Sequence, residues 1–177
     1  MIKQTPMRGF TLVETLVAIT VVVTAMVGPL YAVQQSLNAS RTAREQLIAS
    51  SLAQEAVEYV RGIRDTNYLY VLANTGSSRS WLFGVDGTGG SVNCITAACV
   101  VDPTQGTVSR TIAPLYLSAT NLYNQAGSGT STIFTRRVQL TAVPGSVSEM
   151  VMTVTVSWTM KGQTRNVTIV ERLHNWL

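Results

Sequence analysis

The sequence predicts an α+β protein in which one long N-terminal α-helix, its first half apolar enough for a membrane, packs through its second half on a C-terminal antiparallel β-sheet head. Three observations predict it. Phe10 to Val33 reads FTLVETLVAITVVVTAMVGPLYAV, 24 residues with one charge, Glu14. Beyond it, apolar side chains at Leu37, Leu47, Ile48, Leu52, Ala56, Tyr59, Val60 and Ile63 fall near a 3.6-residue period. Between Met150 and Met160 the even positions are Met150, Met152, Val154, Val156, Trp158 and Met160, alternating with Thr153, Thr155, Ser157 and Thr159 as in a half-buried strand.

At about 1.5 Å per residue a helix of this length reaches across a hydrocarbon core of about 30 Å, so residues 10–33 are expected to span a membrane. Lys3 and Arg8 precede the span and residues 1–9 contain no acid, which predicts a cytoplasmic N-terminus and an extracytoplasmic body. A secretory signal would have a shorter apolar core ending in a small-x-small site, which Leu30-Tyr31-Ala32 is not. A plain anchor accounts for the length of the span but not for Glu14, since an acid at membrane depth costs roughly 2.5 to 3.5 kcal/mol. Further along, Gly28-Pro29 loses a backbone donor and is expected to kink or locally melt the helix. A hinge and a merely tolerated membrane proline are equally good readings of that pair.

Residues 34–64 are expected to continue as an amphipathic half-helix, with Arg41, Arg44, Glu45, Gln54, Glu55, Glu58 and Arg61 on its other faces. Arg41 with Glu45, and Arg61 with Asp65, are spaced four apart for ion pairing. Gly62 and the Asp65-Thr66-Asn67 cluster predict the helix end near Arg64. The 113 residues after it form the head, enough for one domain. Its first part, 65–131, is a Gly-, Ser-, Thr- and Asn-rich loop region with short apolar pieces at Trp81-Leu82-Phe83, Cys99-Val100-Val101 and Ile112 to Leu117. Three antiparallel strands follow across about 133–173: Ile133 to Val143, Met150 to Met160 and Thr164 to Leu173, turning at Pro144-Gly145 and Lys161-Gly162.

Composition narrows the function classes. Hydrophobic residues make up 46 % and charged ones 12 %, and the net charge of +4 includes Lys3 and Arg8, so the basic balance says little about a polyanion partner. There is one histidine, His174, read as a packing or surface residue beside Trp176, and no G-x-S-x-G elbow, HExxH, Walker A or complete EF-hand loop, so no enzyme and no cofactor is expected. The Asp86-Gly87-Thr88-Gly89-Gly90 loop and Asp102 are weighed as calcium ligands, with a glycine-rich turn preferred and no metal expected. Arg136 or Arg137 with Arg165 and Arg172 is weighed as a DNA-binding patch, against solvated strand charges; adjacent strand residues face opposite ways, so the first two cannot share it. Cys94 and Cys99, outside the cytoplasm on the expected topology, are preferred as a disulfide closing a small loop over free thiols.

The junction Arg8-Gly9-Phe10-Thr11-Leu12-Val13-Glu14 resembles the class III leader of type IV prepilins and of the pseudopilins of type II secretion. The resemblance implies a leader, residues 1–9, removed by a prepilin peptidase between Gly9 and Phe10, and N-methylation of Phe10. The run Leu52 to Leu69 also resembles the segment where many minor pilins leave the helix for the head, and in the family the helix proline usually falls slightly beyond Pro29. The cut would leave 168 residues and an α-ammonium on Phe10, one helical turn from Glu14. In stacked helices with an axial offset, Glu14 of one subunit meets the Phe10 ammonium of the next, so desolvating either charge is offset only in the assembled state. The expected partners are other pilin subunits, the peptidase, the inner membrane and the pilus assembly machinery, with DNA a weaker candidate. The expected role is a minor pilin, single-pass in the inner membrane and then part of an extracytoplasmic filament or the cell surface. Its rivals are a minor pseudopilin and a non-polymerising, membrane-tethered adhesive or DNA-binding head.

Overall fold

The structure, a computed structural model, describes residues 9–175. Lys3, Arg8 and Trp176 lie outside the described residues. Contacts divide the chain into two units with the boundary between Glu45 and Gln46. The first is helical from Leu12 onward, and its apolar side chains, Leu12, Val13, Leu16, Val17, Ile19 and their successors to Val33, are all exposed. Thr15, Thr20 and Thr24 donate their hydroxyls to carbonyls three or four residues back, which suits them to apolar surroundings. Helix α1, Leu12–Ala73, runs through Gly28 and Pro29 without a break, so the expected local melting does not occur.

In the second unit α1 contributes a stripe of Ala49, Leu52, Ala53, Ala56, Val57 and Val60 to the core, flanked by Ile48, Tyr59 and Ile63. Leu37 and Leu47, assigned to that stripe by periodicity, are exposed instead. The helix also outruns its expected end at Arg64 by nine residues. Gly62 sits in open space, Arg64 pairs with Asp65 at 2.8 Å, and the buried Asn67 donates through Nδ2 to the carbonyls of Trp81 (3.2 Å) and Phe83 (2.9 Å). Side chains that would compete with the helix backbone are thus engaged elsewhere. Helix α1 ends where Asn74 donates through both N–H and Nδ2 to the Tyr70 carbonyl, ahead of Gly76 at φ 89°.

The loop region holds short pieces. Trp81-Leu82-Phe83 is a turn with Leu82 buried, and a 3-10 turn covers Thr88–Gly90. Strands β1 (Val100–Asp102) and β2 (Thr107–Ser109) pair, while β3 (Tyr116–Leu117) lies between β4 (Tyr123–Asn124) and β5 (Thr130–Ser131). Gly129 is required there: a Cβ would lie 2.1 Å from the Leu117 carbonyl oxygen.

The main sheet is antiparallel, in the order β6 (Thr135–Ala142), β7 (Glu149–Met160), β8 (Gln163–His174). Its strands match the three expected from alternation. Val138, Val154 and Ile169 stand side by side, as do Arg136, Val156 and Val167, and these positions face the core. Lys161 and Gly162, at φ 51° and 78°, make the two-residue hairpin whose twist suits flanking strands. Pro144 and Gly145 form the turn in which Ser146 N–H donates to the Val143 carbonyl. The outer side of β6 is covered by the Cys94–Cys99 segment: Cys99 and Val138 exchange two backbone bonds of 2.8 Å, and Leu140 N–H donates to the Cys94 carbonyl.

Candidate functional site

At the N-terminal end, Gly9 and Phe10 precede the helix and Phe10 is 80 % exposed. Thr11 caps α1: its hydroxyl accepts the Glu14 N–H at 3.2 Å, and its carbonyl accepts the first helical bond, from Thr15. Glu14 is therefore the third helical residue, and Thr11-Leu12-Val13-Glu14 has the order of a capping box. Threonine followed three residues later by glutamate is itself a helix-start signal, so the run carries a cap as well as an acid. The placement matters chemically. The first turn carries unpaired N–H groups and the positive end of the helix dipole, so this is where an acid costs least on such a helix. Among the described residues no side chain pairs with the Glu14 carboxylate, which leaves it one turn from Phe10 on an otherwise uncharged, fully exposed apolar surface.

The head engages its own charges. Arg136, weighed as a surface cation, is fully buried. Its Nη1 donates to Glu55 at 2.5 Å and to the Leu52 carbonyl at 3.0 Å, and its Nη2 to the Val101 carbonyl at 2.7 Å. A patch containing it is excluded: Arg136 shares the inward face with Val138 and Leu140. Arg137 and Arg172 lie on the outward face of the sheet and Arg165 at the end of the inward one, so the four arginines do not converge. Arg61, expected to pair with Asp65, pairs instead with Glu171 of β8 (2.5 Å) and Glu58 (2.6 Å).

Other expected positions take structural roles. The Asp86 Oδ1 accepts the Thr88 N–H (2.9 Å) and hydroxyl (2.6 Å). Burial raises its pKa, but hydrogen bonds from Ser80, Thr88 and its own backbone prevail and leave it below the usual carboxylate value. Asp102 is buried and accepts from Thr104 N–H and hydroxyl, Gln105 N–H and Gln125 N–H, tying β1 to the stretch after β4. Burial, reinforced by Asp102, raises the Tyr59 phenol above its ordinary value. Cys94 and Cys99 form a buried disulfide with Cα atoms 5.2 Å apart. His174 Nδ1 lies 3.6 Å from Glu149, which also receives Arg172 at 3.3 Å. Among the described residues no three or more His, Cys, Asp or Glu side chains are grouped to hold a metal ion.

Helix α1 is long and apolar enough to cross a membrane. Comparison of the chain with protein-family models, with curated proteins and with solved structures returned no match.

Proposed function

We propose that this chain is a non-enzymatic structural subunit of a type IV pilus-like filament, of the minor-pilin kind, cut between Gly9 and Phe10, N-methylated on Phe10 and assembled through its N-terminal helix. One observation carries the reading. A glycine-phenylalanine junction precedes a helix whose exposed apolar run, Leu12 to Val33, contains a single acid, and that acid lies in the first turn. An isolated carboxylate there has a cost in lipid, and the amine freed by the cut is the nearest group able to offset it. Within one chain that amine and Glu14 sit on the same short segment; between axially offset copies each finds an opposite charge. The α+β layout, with a sheet beside the second part of the helix, is consistent with a head that the filament displays.

Intact mass and N-terminal sequencing of the protein from peptidase-competent cells test the processing step. The expected product begins at N-methyl-Phe10; an N-terminus still at Met1 in such cells removes the proposal. Deletion of the chain is expected to abolish surface fibres. Loss of protein export with fibres intact would reassign the subunit to a secretion pseudopilus.

A further inference from the structure

Among the described residues the head contains one half-buried cation that no carboxylate answers. Among the described residues Arg61, Arg64, Arg79 and Arg136 are buried or half-buried, and all but Arg79 face a carboxylate. The Arg79 guanidinium is instead clamped between two rings, 4.2 Å from the centroid of Phe83 and 4.4 Å from that of Tyr70, and its Nε is buried with no acceptor. The clamp is built in: Gly89, at φ 63°, lies against Phe83, and a Cβ there would come within 2.7 Å of the ring. Arg79 therefore has a fixed plane and unused donors.

It stands in the wall between two cavities. One, of about 460 Å³, is lined by Glu58, Tyr59, Ile63, Thr66 and Asn67. The other, of about 400 Å³, is lined by Ser77, Ser78, Ser80, Thr88 and Gly89. Arg79 and Phe83 line both.

We infer that Arg79 and the Ser77–Ser80 and Thr88–Gly89 rim form a binding site for a carboxylated sugar, a uronate-type residue of an acidic glycan. The planar guanidinium matches a carboxylate bidentately, and its aromatic clamp removes rotamer freedom before the ligand arrives. The rim suits a polyol. The Thr88 hydroxyl spends its proton on Asp86 at 2.6 Å, so its oxygen keeps lone-pair capacity for a sugar hydroxyl donor, while the Ser80 oxygen already accepts the Leu82 N–H at 3.2 Å. The Ser77 hydroxyl accepts the Arg79 N–H at 3.3 Å and keeps its own proton to donate. The site is built for one negative charge: among the described residues Arg79 is the sole cation lining either cavity, and Glu58 lines the other side. A phosphate-rich ligand would call for several cations and donor hydroxyls.

The test is calorimetric or NMR titration of the full chain in detergent micelles with a galacturonate trisaccharide, a neutral galactose trisaccharide and inorganic phosphate. Binding of the galacturonate probe, at least about tenfold tighter than that of the other two, supports the site. Arg79→Gln is expected to bring the galacturonate probe down to the level of the neutral one, and Arg79→Lys to restore little of it. Equal binding of neutral and acidic sugars, stronger binding of phosphate, no saturable galacturonate binding, or full binding by Arg79→Gln each overturns the inference. Should Arg79→Gln fail to fold, Ser78→Leu at the exposed rim serves: it is expected to block galacturonate with the helical circular dichroism intact, and retained affinity again overturns the site. The measurement needs no assembly, so its outcome is separate from that of the filament proposal.

Discussion

Glu14 and Arg136 are both charges set among apolar residues, and the chain treats them in opposite ways. Arg136 is answered inside the fold, by Glu55 and two backbone carbonyls drawn from the helix and from β1. Glu14 is answered by no side chain among the described residues; its local support is the helix end it occupies. A buried cation answered within its own fold fixes the packing of one chain. A lone acid on a bare apolar helix leaves its compensation to a neighbour, and so can couple compensation to assembly. The difference separates what stabilises the head from what would join subunits.

The sharpest way to break the comparison is Glu14→Ala. On the filament proposal each intersubunit contact loses about 3 kcal/mol or more, over a hundredfold in its equilibrium constant, while the melting temperature of the head stays unchanged. Incorporation measured by immunogold labelling, beside a thermal melt of the same variant, checks both halves. Normal incorporation would mean that Glu14 needs no partner.

Next in size is Glu55→Ala, which strands the Arg136 guanidinium in the core and is expected to cost the head about 3 to 5 kcal/mol by urea unfolding. Arg136→Met should cost far less, because Glu55 can reach water and an apolar side chain of similar length fills the space. Equal losses from the two would show that the ion pair is not what Arg136 contributes. Smaller again is Thr11→Ala, which removes the helix cap for about 1 kcal/mol, read as faster hydrogen exchange at the Glu14 and Thr15 amides with the head untouched. The smallest effect is on pH. Asp86 lies below its ordinary value, so its stabilising contribution is present above the unfolded carboxylate value and fades as pH falls through the folded one. Asp86→Asn is accordingly expected to flatten the slope of melting temperature as pH falls below the ordinary carboxylate value, leaving neutral pH nearly unaffected.

The two regions also differed in how openly the sequence displays them. Alternation from Met150 to Met160 and the Lys161-Gly162 turn gave the β7–β8 hairpin to within a residue or two, because period-2 burial writes itself directly into residue order. Arg136 escaped because strand parity separates it from Arg137 but leaves open which of them faces inward; Arg136 shares its even position with Val138 and Leu140, and that apolar company puts it inside. The helix end escaped for a different reason. Asn67 looks like a breaker until Trp81 and Phe83 supply its partners from 14 and 16 residues away, which no local pattern contains. At the candidate site Gly9, Phe10 and Glu14 are legible as a motif, and so is the Thr11–Glu14 spacing of a cap; the structure adds that the helix begins right after Thr11. Arg79 was invisible to sequence: its clamp joins Tyr70 and Phe83 across a turn that composition marks only as loop.

The disulfide-closed segment beside β6 has a further effect. By lending its own backbone to that strand, it leaves the three-stranded sheet with one open margin, β8, among the described residues. Unclaimed margins of this kind are where foreign chains add on, and Arg165, Glu171 and Arg172 set charges along this one. One flank of the sheet is thus sewn shut and the other guarded, which disfavours the fusion of one sheet with another edge to edge.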